Sequence, residues 1–261
     1  AAINKELKGL WIIGEDIVQT DPNSAHVVEA MNSLELLVVQ EIFMSETAKL
    51  ATVVLPGTTF LEKDGTFTNT ERRIQRVNKA VPPLPGTKPD GVIVTDMMQK
   101  LGFDQPTYDA DQVLKEIADV VPFFKGVTRE RLGKLGLQWP VQEDGTDTQI
   151  LHTETFKLGR GRLKNFDWKE STEIETNKKE YPLILTTSRV LQHYNAATMT
   201  RRTKNINIVD EDVLLIHPKD AAYRDINTGD IGRLYSGRGE VALKVEVTDK
   251  VKEGIVFTTF H

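Results

Sequence analysis

A long stretch without acidic residues is the first feature of this sequence that points to chemistry. The 29 residues of the range Tyr181–Val209 contain no Asp or Glu, although the whole chain carries 38 acidic and 33 basic residues. The stretch includes Arg189, Arg201, Arg202 and Lys204 together with hydroxyl, amide and imidazole side chains. Such side chains bind phosphate groups and the edges of heterocycles. The alternative explanation is a solvated basic loop that follows a strand.

Composition limits the kinds of site to which these residues can belong. The absence of Cys excludes disulfides, thiolate ligands and a thiolate nucleophile within the 261 residues. The sequence contains no run of about 18 apolar residues, which a membrane-spanning helix would need. The first residues also lack the basic, apolar and small-residue zones of a signal peptide, so we expect a soluble, cytoplasmic protein. The net charge of −5 and the aromatic content of 7% argue against general nucleic-acid binding.

The first third of the chain alternates short apolar runs with helical patterns. This alternation is typical of βαβ units around a parallel sheet, which we interpret as part of a doubly wound α/β fold. Strands are predicted over Gly9–Ile13, Leu36–Val39 and Ala51–Leu55, with a helix that begins near Asp21 and a short one over Glu46–Leu50. Ligands bind outside the carboxyl ends of such strands, so the polar residues that follow them are candidates for a site.

The remainder of the chain predicts a long loop, a helical connector and a β-domain. An ordered loop is expected over residues 56–86, a helix over Pro89–Leu101, helical structure over Tyr108–Leu137, and a short strand and turn over Gly159–Glu170 in a polar linker. From Tyr181 onward, short β-runs with one helix over Pro218–Arg224 predict an all-β barrel.

The predicted loop also contains charged residues with two possible roles. Glu62 and Asp64 form either an acid–base pair or a solvated cluster, and Arg72, Arg73 and Arg76 either brace the loop or contact a pyrophosphate. The sequence contains no GxxxxGK[ST], HExxH or GxSxG motif, which removes the common nucleotide-binding, metalloprotease and hydrolase templates.

Five segments in register resemble the carboxyl-terminal part of molybdopterin-dependent oxidoreductases, and most closely the catalytic alpha subunits of formate dehydrogenases. The resemblance lies in Gly14–Pro22, Val38–Pro56, Glu62–Gln75, Leu137–Pro140 and Thr186–Arg202, and it continues through Ile216–Asp230 and Val247–His261. It implies an α/β portion over residues 1–105, a helical insertion and linker over residues 106–180, and a six-stranded, double-psi type β-barrel over residues 181–261 that binds a molybdopterin dinucleotide.

The resemblance also implies which residues bind the cofactor, a bis(molybdopterin guanine dinucleotide) with molybdenum or tungsten. Carboxylates at strand ends would accept the N–H groups of guanine, and Arg189 and His193 would donate hydrogen bonds to the pterin nearest the metal. The implied cofactor-binding residues are Gly14, Glu15, Asp16, Gln40, Glu41, Lys63, Asp90, Thr187, Ser188, Arg189, Val190, Leu191, Gln192, His193, Tyr194 and Asn195. Neither a metal ligand nor a catalytic residue is expected in this chain.

The implied activity is oxidation of formate to carbon dioxide, or the reverse, by a larger catalytic unit. We expect the remaining N-terminal part, on the same or a companion chain, and iron–sulfur electron-transfer subunits as partners, with an iron–sulfur cluster in the missing part. The chain alone would not turn over. The alternatives are a nitrate reductase, which shares the pattern around His193, and a non-catalytic electron-transfer or assembly subunit that kept the fold.

Overall fold

A three-stranded parallel sheet forms the first part of the molecule. The computed structural model describes residues 1–171 and 177–260. The strands are β1 (Gly9–Ile13), β2 (Leu36–Glu41) and β3 (Val53–Pro56), in the order β1-β2-β3, and the connections contain helices α1 (Ile17–Thr20), α2 (Ser24–Asn32) and α3 (Glu46–Lys49). The predicted parallel strands are confirmed, with ends that differ by one or two residues.

The core of this part follows from the apolar sequence of β2, the central strand. Leu37 and Val39 are 1% and 0% exposed and pack with Ile12, Met31 and Ala48. Burying a side chain of this size contributes about 1.5–3 kcal/mol, and central parallel strands are covered on both faces. The burial of β2 therefore holds the polar residues at its carboxyl end, Gln40 and Glu41, in a fixed position.

The segment from residue 56 to 86 is more regular than the predicted loop. After a 3₁₀ turn at Phe60–Glu62 it forms an antiparallel hairpin of β4 (Gly65–Thr68) and β5 (Arg73–Val77), and β5 also pairs with β6 (Leu137–Gln138). The loop prediction was wrong because these strands are short and mostly polar. Only Ile74 is fully buried, and it packs with Leu114 and Val141.

Helices follow the hairpin. They are α4 (Asp90–Lys100), α5 (Ala110–Val120) and α6 (Arg129–Leu132). The predicted continuous helical region over Tyr108–Leu137 is interrupted at Pro122, which begins a 3₁₀ turn, and at Gly133 and Gly136, which have φ of 50° and 76°. Gly136 is required where it lies, because a Cβ there would approach the Ile74 carbonyl oxygen to 2.3 Å.

A five-stranded mixed sheet forms the last part of the molecule. Its strands are β7 (Ile184–Ser188), β8 (Val213–Ile216), β9 (Ile231–Ser236), β10 (Gly239–Val247) and β11 (Ile255–Thr259), in the order β7-β11-β8-β10-β9, and helix α7 (Pro218–Tyr223) follows β8. Leu214, Ile216, Val245 and Val256 form its core. The predicted β-strands and the helix among them are confirmed, whereas the sixth strand of the expected barrel is not observed among residues 177–260.

The predicted linker contains no regular element over Gly159–Glu170, so the short strand predicted there was wrong. Its apolar side chains are exposed to solvent: Leu163 is 101% exposed and Trp168 is 83% exposed. Residues 172–176 of the linker and His261 of the expected barrel lie outside the described residues.

Candidate functional site

A cleft lies where the first and last parts of the chain meet. It has a volume of about 280 Å³, close to the lower end of the roughly 300–1,000 Å³ typical of small-molecule sites. Its lining comes from the residues after β1, the residues after β2, and the loop that follows β7: Gly14, Glu15, Asp16, Gln19, Thr20, Glu41, Ile42, Phe43, Ser45, Glu46, Tyr194, Asn195, Ala196, Thr198, Met199 and Arg202. Six of the residues expected at the cofactor are therefore brought together here.

The parallel sheet explains the position of the cleft. Because β1 and β2 run in the same direction, Gly14 and Glu41 emerge at one edge, where parallel sheets bind ligands. Gly14 has φ of +63° and donates its N–H to the Gln40 carbonyl oxygen at 2.9 Å. This left-handed conformation, which Gly adopts without strain, turns Glu15 and Asp16 away from the sheet.

Asp16 is a buried part of the wall. Its carboxylate accepts hydrogen bonds from the Thr47 N–H at 2.9 Å, the Thr47 hydroxyl at 2.7 Å and the Glu46 N–H at 3.3 Å. The Thr47 hydroxyl oxygen in turn accepts from the Val18 N–H at 3.1 Å. Asp16 therefore fixes the starts of α1 and α3, and both of its oxygens are engaged within the chain.

Glu15 and Glu41 differ from Asp16 because each uses one oxygen internally. Glu15 Oε1 accepts from the Thr20 hydroxyl at 2.8 Å, and Glu41 Oε1 accepts from the Ile42 N–H at 2.7 Å. Within residues 1–171 and 177–260, their second oxygens have no hydrogen-bond partner. These oxygens are acceptors that can take N–H donors from a ligand in the cleft.

Two contacts join the walls of the cleft. The Gln19 side-chain amide donates to the Ala196 carbonyl oxygen at 2.6 Å, and the Arg202 guanidinium lies 4.4 Å from the centroid of the Phe43 ring. Gln19, Phe43 and Arg202 were not assigned to the site from sequence. Arg202 belongs to the acid-free stretch, but the Gln19 contact spans 177 positions, and no local pattern reveals it.

His193 shapes the loop between β7 and β8. It is 5% exposed, its Nε2 lies 2.8 Å from the Val209 carbonyl oxygen, and its Nδ1 lies 3.1 Å from the Thr200 hydroxyl. Because a carbonyl oxygen only accepts, Nε2 donates to Val209, and in the neutral ring Nδ1 accepts from the Thr200 hydroxyl. Both ring nitrogens therefore have protein partners, and these contacts tie His193 to its own loop.

The end of β7 and the first residues of the loop that follows it do not line the cleft. Thr187, Ser188, Arg189 and Leu191 are exposed, and Val190 and Gln192 are half-buried. The Arg189 guanidinium lies 5.2 Å from the centroid of the Phe260 ring. The structure therefore separates Thr187–Gln192 from Tyr194 and Asn195, which line the cleft, although sequence reasoning treated Thr187–Asn195 as one unit.

Gln40, Lys63 and Asp90 form a second, partly exposed cluster beside the end of β2. The Gln40 side-chain amide donates to Asp90 Oδ1 at 2.7 Å, and the Lys63 ammonium group forms an ion pair with Asp90 Oδ2 and donates to the Thr58 carbonyl oxygen at 3.2 Å. Burial raises the pKa of Asp90, but the hydrogen bonds from Lys63 and Gln40 outweigh burial, so the pKa lies below its ordinary value. These three residues do not line the cleft.

Two further polar groups adjoin this cluster. Gln40 Oε1 and Thr58 Oγ1 are buried and have no hydrogen-bond partner among the described residues. A Cβ at Gly57 would lie 3.0 Å from Asp90 Oδ1, so Gly57 permits the close approach of β3 to α4. The cluster thus ties the ends of β2 and β3 to the first residue of α4.

The charged residues of the predicted loop have structural partners. Glu62 is buried and accepts from the Thr59 N–H and hydroxyl, both at 2.8 Å, and from the Leu84 N–H at 2.9 Å. The Thr59 hydrogen bonds are the main cause of its lowered pKa. Arg72 donates to the backbone oxygens of Thr148 and Gln149, which supports the bracing role.

Neither a metal centre nor a membrane span is found among the described residues. They contain no group of three or more His, Asp or Glu side chains that could hold a metal ion. In the same ranges, every helix is too short or too polar to cross a bilayer. The lining of the cleft combines acceptors at Glu15 and Glu41 with the guanidinium of Arg202.

Comparison with known proteins gives matches at both ends of the chain. The family model "Molybdopterin oxidoreductase" matches residues 1–100, and the model "Molydopterin dinucleotide binding domain" matches residues 183–261. Together the two models cover the strands and loops that line the cleft.

Relatives cover nearly all of the chain. The F420-dependent formate dehydrogenase subunit alpha of Methanocaldococcus jannaschii is 43% identical over 98% of this chain and 39% of its own length. The probable oxidoreductase YjgC of Bacillus subtilis is 40% identical over 95% of this chain and 25% of its own length. The chain therefore spans between a quarter and two fifths of these relatives.

A solved structure with a similar fold is acetylene hydratase from Pelobacter acetylenicus. The TM-score is 0.72 over 97% of this chain and 37% of that protein, at 20% sequence identity. At this identity the likeness concerns the fold alone.

Proposed function

The chain belongs to the molybdopterin oxidoreductase family, and on this premise we propose that it is the dinucleotide-binding part of a formate dehydrogenase catalytic subunit. The proposal of formate as substrate is supported by relatives that are named formate dehydrogenase subunit alpha and are 43% identical to this chain. Since the chain spans 39% of those relatives, the activity would belong to a larger protein.

One observation carries the proposal. The residues that end β1 and β2 meet Tyr194 and Asn195 of the rear loop in a single cleft, although more than half of the chain separates them in sequence. The two family matches fall on the two walls of this cleft. A shared ligand explains why polar residues from both parts are directed to the same place.

The residues present fit the guanosine end of a molybdopterin guanine dinucleotide. Guanine carries neighbouring N–H donors on one edge, and the second oxygens of Glu15 and Glu41 are unused acceptors at the cleft. A hydrogen bond to a charged group is worth about 1.5–3 kcal/mol, enough to favour guanine over a base that presents an acceptor at that edge. Asp16 would shape the wall without contacting the base, since α3 engages both of its oxygens.

The remaining predicted site residues have other roles in this proposal. Gln40, Lys63 and Asp90 would hold Glu41 in position from behind the sheet, because they bond to one another and do not line the cleft. His193 would position Tyr194 and Asn195 through its bonds to Thr200 and Val209. The accessible residues Thr187–Leu191 would be the ones that contact the pterin.

The cofactor would supply the redox chemistry. A molybdenum or tungsten ion bound by two such dinucleotides would supply two-electron oxidation of formate to carbon dioxide. Because the chain has no Cys, iron–sulfur clusters that accept the electrons would be held by other parts of the protein or by partner subunits. The role of this chain would be to bind and orient the cofactor.

The test compares Glu41→Gln with Glu35→Gln in the complete enzyme that contains this chain. Glu41 ends β2 and Glu35 immediately precedes it, and the Glu35 carboxylate forms an exposed ion pair with Lys8 at 3.2 Å. Guanine nucleotide released by acid hydrolysis, metal content and formate-dependent dye reduction would be measured. We expect Glu41→Gln to lower all three and Glu35→Gln to change none.

Two outcomes would contradict the proposal. One is the absence of guanine nucleotide from the purified, unaltered enzyme. The other is reduction of nitrate without oxidation of formate, which would indicate the nitrate reductase alternative. Equal guanine nucleotide content in the Glu41→Gln and Glu35→Gln enzymes would show that Glu41 does not bind the guanine.

A further inference from the structure

Arg201 and Arg202 are neighbours in sequence but differ in their surroundings. The Arg201 guanidinium forms an ion pair with Asp212 at 2.7 Å. Arg202 is exposed, its Nε donates to the Thr198 carbonyl oxygen at 3.1 Å, and its guanidinium lies over the Phe43 ring. In the part of the chain that the structure describes, no carboxylate pairs with Arg202. Its terminal nitrogens therefore keep their donors for another partner.

Arg202 carries a positive charge in a cleft whose other charged lining residues are acidic. Among the described residues that line the cleft, Arg202 is the only basic one, and the acidic ones include Glu15, Glu41 and Glu46. Glu46 is paired with Lys49 at 2.5 Å, which lies outside the lining. A ligand that fits these lining residues carries N–H donors for the Glu carboxylates and an anionic group for Arg202.

We propose that Arg202 binds a phosphate of the dinucleotide and that Phe43 holds its guanidinium in place for that contact. This inference rests on the proposed function. The planar guanidinium presents its donors as a fixed fork that matches phosphate oxygens, and stacking on a ring limits its rotation without using those donors. The distance of 4.4 Å to the ring centroid lies within the range of about 6 Å in which cation–π attraction operates.

The arrangement couples the two parts of the molecule. Phe43 follows β2 in the first part and Arg202 follows β7 in the last part, so the phosphate-binding group is complete only when the parts are in contact. The hydrogen bond from Gln19 to the Ala196 carbonyl oxygen joins the same two walls at 2.6 Å. Phe43 is thus a positioning residue, and Arg202 is the group that would contact the ligand.

The experiment titrates the 261-residue chain with guanosine diphosphate and with guanosine by calorimetry. Arg202→Gln should raise the Kd for guanosine diphosphate about 10- to 100-fold and leave the Kd for guanosine unchanged, because only the diphosphate offers a charged acceptor. Arg202→Lys should retain part of the affinity, since it keeps the charge but loses the fork. Lys204→Gln, a loss of the same charge outside the cleft, is the control and should bind both compounds as the unaltered chain does.

A double-mutant cycle tests the role of Phe43. Phe43→Leu keeps an apolar side chain and should raise the Kd for guanosine diphosphate about 2- to 5-fold, the scale of an exposed cation–π contact. The same change in the Arg202→Gln background should have no further effect, because Phe43 acts through Arg202.

The outcomes separate this inference from the proposed function. Equal binding of guanosine diphosphate by the unaltered chain and Arg202→Gln would overturn the role of Arg202, and so would equal weakening of both compounds. Additive effects in the cycle would overturn the role of Phe43. Absence of guanine nucleotide from the complete enzyme that contains this chain would instead overturn the proposed function.

Discussion

Replacing Asp90 with Ala tests whether the cluster of Gln40, Lys63 and Asp90 holds this edge of the sheet together. The change removes the acceptor that Gln40 and Lys63 share. Gln40 is 0% exposed, so its side-chain amide depends on Asp90 as its acceptor. The Lys63 side chain is 27% exposed and would lose its counter-ion in a partly desolvated position.

The expected loss of stability follows from these contacts. An unsatisfied buried amide donor costs about 1–3 kcal/mol, and a partly exposed ion pair contributes at most about 1 kcal/mol. Asp90 is also the first residue of α4, where a negative charge adds about 0.3–1 kcal/mol. We therefore expect Asp90→Ala to lower the free energy of unfolding by about 2–4 kcal/mol. Asp90→Asn, which keeps an oxygen for Gln40, should cost about half as much.

Urea denaturation followed by circular dichroism would measure these differences. The matched control is Asp96→Asn on the same helix, because Asp96 forms an ion pair with Lys88 in which the side chains are 38% and 61% exposed. An exposed pair of this kind should contribute less than about 0.5 kcal/mol. If Asp90→Ala and Asp96→Asn unfold at the same urea concentration, the cluster does not stabilise the fold as we infer.

Three further predictions concern polar groups at or near the cleft. Asp16→Ala should lower the free energy of unfolding by about 2–4 kcal/mol, because it leaves the N–H and hydroxyl of Thr47 without their acceptor. Urea denaturation would measure this loss. A loss below about 0.5 kcal/mol, the scale of a surface substitution, would contradict this role of Asp16. The lowered pKa of Asp90 contributes stability that is present above the ordinary Asp value of about 3.9 and is lost as the pH falls through the lowered value. The difference in stability between the unaltered chain and Asp90→Asn should therefore shrink below about pH 4, and an unchanged difference would refute the linkage. His193→Ala should increase amide hydrogen exchange in the loop that ends at Val209, since it removes the bond to the Val209 carbonyl oxygen; unchanged exchange would show that His193 does not hold the loop.

Local patterns in the sequence predicted the parts of the fold that depend on short-range regularity. The apolar runs of β1 and β2 were recognisable because strands that are buried on both faces are apolar throughout. The same reasoning failed for β4 and β5, where Ile74 alone is fully buried. Hairpin strands of four and five residues with polar side chains resemble a loop until their hydrogen-bonding partner is known.

For the candidate site, the sequence determined which residues were available, and the tertiary structure decided what each of them does. The absence of Asp and Glu from Tyr181–Val209 can be read from the sequence, and so can the polar residues that follow β1 and β2. Whether a polar side chain faces the cleft or bonds within the protein depends on partners far away in the chain. Asp16 bonds to a residue 31 positions away, and Gln40 to one 50 positions away. A buried polar group must find such a partner, and which partner it finds is set by how the elements pack.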